Sequence, residues 1–133
     1  MKQTQSRANI TGTGKYIPEN ILTNKAIEKM VDTSDEWIKS RTGICERRIV
    51  QSGEASAEMS TNAVNNLFEN YNISADQIDA IIVATITPDM MFPATAAIVQ
   101  KNIKANNAWG YDMSAACSGF LFALQSGAAL ISS

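Results

Sequence analysis

Cys117 is the side chain in this sequence with the clearest capacity for chemistry. A strand-like run over 106–113 precedes it, small residues surround it, and the pattern of an apolar helix follows it. A thiol at a helix N-terminus lies near the positive end of the helix dipole, which favours the nucleophilic thiolate. The backbone N–H of Cys117 could also serve as one oxyanion-hole donor. A buried structural cysteine is an equally weighted alternative at this stage.

The composition around this thiol lacks the usual catalytic partner. A nucleophilic cysteine normally works with a histidine base, but the sequence contains no histidine. Cys117 is therefore either a structural thiol or one part of a larger catalytic unit. The other cysteine, Cys45, lies far away without CxxC spacing, and we interpret it as inert. With two cysteines and no histidine, no metal site is expected.

Three further side chains could form binding surfaces. Trp37 and Arg41 are four residues apart on a predicted short helix, so they share one face. An indole beside a guanidinium can hold a flat, anionic ligand such as an adenine nucleotide. A half-buried tryptophan with a solvated arginine is the more frequent outcome of this spacing. Phe92 lies in an apolar loop over 90–93 and could belong to the core, which is the more frequent case, to a pocket wall or to a subunit contact.

Length and charge exclude several classes of protein. The chain has 133 residues, 45% of them hydrophobic, which is enough for a domain with a sizeable core. Its net charge of −2 argues against a nucleic-acid surface. No run of apolar residues is long enough to predict a membrane span. The polar segment 1–9 lacks the apolar core of a signal peptide, so a cytoplasmic protein is expected.

The apolar spacing predicts the elements that must position these residues. Strands are predicted over 8–13 and 44–50. Helices are predicted over 23–31 with a Thr23 cap, from a Ser34 cap to near Gly43, and over 56–71. A βαβ unit follows, with strands over 79–86 and 106–113 and a helix from Pro93 to about 105, Pro93 lying in its first turn. Ligands of such sheets bind beyond the carboxyl ends of the strands, where Cys117 follows.

The helix predicted after Cys117 is apolar on nearly all sides. Only Gln125 and Ser126 interrupt it. A helix of this kind needs cover all round, which a layer of structure on each side can provide. We therefore expect 1–133 to form a half-domain of a larger layered protein, truncated near the end of this helix.

Five short segments occur in a distinctive order. They are GTGKYIP at 12–18, VDTSDEWI at 31–38, RTGI at 41–44, FPA at 92–94 and AACSGF at 115–120. In order and spacing, they resemble the β-ketoacyl-acyl-carrier-protein synthase III family of the thiolase superfamily over nearly the whole chain.

The resemblance implies an α/β, thiolase-like fold of five layers, αβαβα, of which this chain would be the first, N-terminal half. It implies that Cys117 takes an acyl group from acyl-CoA. Malonyl-acyl-carrier protein then loses carbon dioxide and its carbanion attacks the thioester, which starts fatty-acid synthesis. Thr33, Trp37 and Arg41 would bind coenzyme A, which enters as a substrate thioester, so no cofactor is expected. Phe92 would lie at a homodimer interface and reach the partner's acyl pocket.

The resemblance also implies that the chain is incomplete as a catalyst. The family's catalytic histidine and asparagine, its second oxyanion-hole glycine and its main carrier-protein surface belong to the second half. Cys45 stands where many relatives carry a basic residue. Two alternatives stay open: another thiolase-superfamily condensing enzyme of a specialised pathway, and a non-catalytic subunit-contact fragment.

Overall fold

Residues 8–132 are described by a computed structural model, and they divide into two compact units. The larger unit contains the described residues up to Tyr16 and those from Ala55 onward, and the smaller unit is Ile17–Glu54. Each unit contains both helices and strands. The chain is therefore of the mixed α/β type.

The smaller unit consists of β1 (Asn20–Thr23), α1 (Asn24–Ile27), α2 (Asp35–Thr42) and β2 (Glu46–Ile49), with β1 and β2 antiparallel. The Thr23 hydroxyl accepts a hydrogen bond from the N–H of Ala26 at 3.2 Å, which confirms the predicted cap of α1. This helix ends at Ile27 rather than at 31. The N–H of Met30 bonds to the carbonyl of Ile27 at 2.8 Å, and this tighter i→i+3 bond closes the turn.

Both predicted ends of α2 are confirmed. The Ser34 hydroxyl accepts from the N–H of Trp37 at 3.1 Å, which satisfies one of the free N–H groups of the first turn. Gly43 ends the helix with φ of 71°, a left-handed conformation that glycine adopts without a Cβ clash. These caps determine where α2 begins and ends, and Trp37 and Arg41 both lie on this helix.

The larger unit consists of α3 (Ser56–Asn70), β3 (Ala80–Ala84), α4 (Thr95–Ile103), β4 (Trp109–Met113) and α5 (Gly119–Ser132). β3 and β4 are parallel, and their paired residues run from Ala80 and Trp109 to Ala84 and Met113. The predicted strand–helix–strand unit is thus confirmed, with each strand shorter than predicted. The core of this unit joins α3 and α4 to the two strands, and its buried members are Ala57, Val99, Ile103, Ala105 and Ala108.

Two predicted boundaries in this unit are wrong. The predicted strand over 8–13 is irregular, because the sheets of the described chain consist of β1 with β2 and β3 with β4, which leaves no neighbouring ladder for it. Pro93 lies before α4 and not in its first turn. The carboxylate of Asp112 accepts from the N–H groups of Thr95 and Ala96 at 2.7 and 2.8 Å, so the first turn begins at Thr95.

α5 carries much of its apolar surface on the outside. Six large apolar residues of this helix are exposed: Phe120, Leu121, Phe122, Leu124, Leu130 and Ile131. Among the described helices, none has the length and apolar character needed to cross a membrane. The exposure of these six side chains matches the expected need of α5 for cover, and the further protein that would provide it stays a prediction.

Candidate active site

Cys117 lies in a short 3-10 turn, Ala116–Ser118, between β4 and α5. The carboxyl ends of the two parallel strands meet at Ala84 and Met113, directly before this turn. The thiol is free and exposed. Cys117 thus has the access that a nucleophile needs, and the alternative of a buried structural cysteine is wrong for this structure.

The turn that carries Cys117 holds an uncommon backbone conformation. Ala116 has a φ of 44°, in the left-handed region that a residue with a Cβ seldom adopts. Such a conformation costs of order 1–3 kcal/mol and persists only where the surroundings impose it. The N–H of Ser118 bonds to the carbonyl of Ala115 at 3.0 Å. Gly119 is buried, and a Cβ there would lie 3.4 Å from that of Ala84. Gly119, which follows the turn at the start of α5, therefore packs against the end of β3.

Phe92 lies outside the core, in the loop between β3 and α4. Its side chain is 88% exposed and that of the adjacent Met91 is 100% exposed. The core position, which was the more frequent expectation for an apolar loop, is wrong here. A pocket wall and a subunit contact stay as the two interpretations that such exposure permits.

Two of the three predicted coenzyme A residues line one pocket of the smaller unit. Thr33 and Trp37 form this pocket of about 390 Å³ together with Asp32 and Ser34, and the Trp37 side chain is 57% exposed. Arg41 follows Trp37 by one turn of α2 but is not among the residues that line the pocket. The structure thus brings Thr33 and Trp37 together and places Arg41 further along the same helix.

The basic residues after Trp37 differ in their partners. Lys39 pairs with Asp35 at 2.7 Å, Arg48 pairs with Glu46 at 3.3 Å, and Arg47 donates to the side chain of Asn24. Arg41 is exposed, and its guanidinium has no hydrogen-bond or ion-pair partner among the described residues. Its guanidinium is therefore available to an anionic ligand.

The Asp35 carboxylate belongs to this polar network. The hydrogen bond from Lys39, followed by the bond from Asn24 at 2.8 Å, holds the pKa of Asp35 below its ordinary value of 3.8. Asn24 is buried and also donates to the carbonyl of Ile44 at 2.8 Å. Asn24 could not be predicted from the sequence, since a lone asparagine after a cap residue carries no pattern that distinguishes it.

Two larger cavities of the larger unit, of about 680 and 720 Å³, lie along α5 and not at Cys117. Gly127 and Ile131 line both of them. Among the described residues, no group of three or more potential metal ligands comes together.

Comparisons with known proteins show what this chain is similar to. No family model matches the chain. A curated beta-ketoacyl-acyl-carrier-protein synthase III of Chlorobaculum tepidum is 55% identical over 128 residues, which are 96% of this chain and 39% of that protein. The structure of the Thermus thermophilus synthase III superposes with a TM-score of 0.89 at 42% identity, covering 94% of this chain and 39% of that one. In sequence and in fold, the chain matches one part of β-ketoacyl-acyl-carrier-protein synthase III.

The match covers most of this chain but less than half of each similar protein. The chain spans about two fifths of the length of these relatives. The priming β-ketosynthase of the R1128 polyketide biosynthetic pathway also superposes, with a TM-score of 0.84 at 35% identity, over 88% of this chain and 35% of that one. The resemblance read from the motifs and the thiolase-like α/β fold class are confirmed, and the shared length fits the predicted first half.

Proposed function

We propose that this chain forms the nucleophile-bearing part of a β-ketoacyl-acyl-carrier-protein synthase III, an acyltransferase that starts fatty-acid synthesis. The observation that carries the proposal is the exposed thiol of Cys117, in a turn at the carboxyl end of a parallel strand pair. Its support is the 55% identity to proteins of that name. Because those proteins are longer, we propose that the full-length protein is a longer chain that contains these 133 residues.

In the proposed reaction, Cys117 is acylated first. Its thiolate attacks the carbonyl carbon of acyl-CoA, a thioester forms on Sγ, and coenzyme A leaves as its thiol after taking up a proton. The developing oxyanion needs fixed donors, of which the backbone N–H of Cys117 is one candidate. An alanine-rich approach, with Ala115 and Ala116 before the thiol, leaves room for the substrate carbonyl.

Condensation would follow on the acylated enzyme. Malonyl-acyl-carrier protein loses carbon dioxide, the resulting carbanion attacks the thioester carbonyl, and the Cys117 thiolate is released as the β-ketoacyl product forms. Since the sequence contains no histidine, the groups that stabilise the carbanion would lie outside 1–133. The chain by itself is therefore proposed to be inactive in condensation.

The smaller unit would bind the coenzyme A of the first substrate. The half-exposed indole of Trp37 offers a stacking surface for adenine, and Thr33 lies in the same pocket. The unpartnered guanidinium of Arg41 matches a phosphate. These three residues are proposed as the coenzyme A site.

The exposed Phe92 is proposed as a contact with a second copy of the protein. A homodimer would cover this side chain, which is 88% exposed in the single chain, and would bring it to the partner's acyl pocket. Two free cysteines fit a reducing environment, and we propose a cytoplasmic location.

A second candidate function is a condensing step of a specialised pathway. The similarity to the priming β-ketosynthase of a polyketide pathway favours it. A panel of acyl-CoA substrates tested on the full-length protein separates the two. Preference for short starter acyl groups with malonyl-acyl-carrier protein supports the first function, and strict preference for an unusual starter supports the second. Absence of condensation with every substrate would favour a non-catalytic subunit.

The chain offers a matched pair of cysteines for testing the nucleophile. The full-length protein is incubated with acetyl-CoA and its intact mass is measured. We expect one acetyl group per chain, which is lost in Cys117→Ser and retained in Cys45→Ser. Both thiols are free and exposed, so exposure alone cannot explain a difference. Acetylation that persists in Cys117→Ser would refute the assignment.

A further inference from the structure

The loop between β3 and α4 is tied at its first half to the start of α3. The carboxylate of Asp89 accepts a hydrogen bond from the N–H of Ala57 at 2.9 Å, and the Ser56 hydroxyl donates to the carbonyl of Thr87 at 2.7 Å. Ala55, at the N-cap position of α3, makes no side-chain cap bond. Asp89 therefore provides from the loop the cap that the helix lacks in its own sequence.

The end of the same loop is tied to β4 in an equivalent way. Ala94, at the N-cap position of α4, also has no capping side chain. Both carboxylate oxygens of Asp112 fill this role, one for the N–H of Thr95 and one for that of Ala96. Thr95 and Ala96 are fully buried, so their N–H groups have no access to water in compensation.

Three apolar side chains project between these two attachments. Met90, Met91 and Phe92 are 49%, 100% and 88% exposed. An unattached apolar segment would lower its free energy by packing against the protein surface, because this removes apolar area from water. The two carboxylates instead hold both ends of the segment, which leaves its apolar side chains outside. Asp112 also precedes Cys117 by five residues on the strand that leads to the thiol.

We propose that Asp89 and Asp112 are positioning residues, which hold the 90–92 segment, and Phe92 above all, in one place relative to the Cys117 turn. Asp89 acts through α3 and Asp112 acts through α4 and β4. The structural part of this inference stands on the hydrogen bonds alone. Its kinetic part rests on the proposed function, in which Phe92 contacts a partner chain and Cys117 is acylated.

Three substitutions at the two carboxylates, with one control, distinguish the loss of an attachment from the loss of the fold. Asp89→Ala removes the acceptor for Ala57, and Asp89→Asn restores a neutral one of the same shape. Asp112→Asn leaves one of the two N–H groups at α4 without an acceptor. Asp79→Asn is the matched control, because Asp79 is exposed and lies at the opposite end of the strand pair.

Hydrogen exchange on the full-length protein tests the structural part. We expect exchange over 87–92 to become about tenfold faster in Asp89→Ala and in Asp112→Asn, because one attachment of the segment is lost. Asp89→Asn should recover most of the protection, and Asp79→Asn should match the wild type. Exchange over 87–92 that is unchanged in both Asp89→Ala and Asp112→Asn overturns the inference.

A double-mutant cycle tests the kinetic part. We expect Asp89→Ala to lower kcat/KM for acyl-CoA by about tenfold in the wild-type background and by less than about twofold in Phe92→Ala, since a residue acting through Phe92 has nothing left to position. Equal losses in the two backgrounds overturn the positioning role. If wild-type Cys117 is not acylated, the proposed function fails, and the exchange comparison still decides whether the carboxylates hold the segment.

Discussion

Gly110 marks a tight approach between β3 and β4, and replacing it is expected to loosen the strand that leads to Cys117. A Cβ at this position would lie 2.5 Å from the carbonyl oxygen of Ile81 and 3.1 Å from the Cβ of Ala96. Gly110 and Ile81 are paired across the two parallel strands, and Ala96 is fully buried. Neither neighbour is the free end of a flexible side chain, so the backbone itself would have to move.

The size of the effect follows from this geometry. To reach an ordinary contact of 3.4 Å, the Ile81 oxygen must retreat by roughly 0.9 Å, which strains the hydrogen-bonded ladder between β3 and β4. We expect Gly110→Ala to lower the free energy of unfolding by about 1–3 kcal/mol, the usual cost of overpacking. The acylation rate of Cys117 should fall as well, because the displaced strand ends four residues before the thiol.

Urea unfolding of the full-length protein, followed by circular dichroism, measures this change. Gly119→Ala is the control, since its Cβ would make only an ordinary contact of 3.4 Å with Ala84 and its φ of −55° is helical. We expect the control to be neutral or more stable by up to about 1 kcal/mol. A Gly110→Ala protein with the midpoint and slope of the wild type would show that this approach is not tight and that the reasoning is wrong.

Three further predictions concern the smaller unit and α5. Trp37→Ala and Arg41→Ala should each weaken coenzyme A binding by about 1–2 kcal/mol in calorimetry, through loss of a stacking or charge-assisted contact; unchanged affinity in both would remove them from the site. The isolated 133-residue chain should aggregate or self-associate in size-exclusion chromatography, because α5 exposes six large apolar side chains; a monomer with a cooperative thermal melt would contradict this. The hydrogen bond from Lys39 keeps the pKa of Asp35 below 3.8, so the stability from this carboxylate is present above that value and is lost as the pH falls through the lower, folded-state pKa. An NMR titration should show the Asp35 pKa rising in Lys39→Ala, and an unchanged pKa would mean that Lys39 is not the main cause.

Local sequence predicted those features whose partners lie within one turn of chain. The caps at Thr23 and Ser34 and the stop at Gly43 depend on atoms three or four residues away, and all three are confirmed. The continuous apolar run of β3 and the strand–helix–strand order that follows likewise predicted β3, α4 and β4 and the turn that carries Cys117. Their bounds were too long, since a strand ends where its neighbour ends and not where its apolar run ends.

Features with distant partners could not be read in this way. The strand predicted over 8–13 needed a neighbouring ladder, which a pattern of apolar residues does not reveal. The start of α4 depends on Asp112, 17 residues further along the chain, and the start of α3 depends on Asp89, 32 residues away. Phe92 is of a residue type that usually lies in the core. Its loop is attached at both ends, however, and the Phe92 side chain is exposed.

The sequence by itself thus determined the order of the elements, the position of Cys117 after a strand, and the family that the chain resembles, because each of these depends on residue types at short, regular spacing. The tertiary structure alone decided that the thiol is exposed and that Thr33 and Trp37 share a pocket. It also decided that the carboxylates of Asp89 and Asp112, which lie outside α3 and α4, cap these two helices. These outcomes depend on which distant segments meet in space, and the free energy of such contacts is set only when the chain has folded.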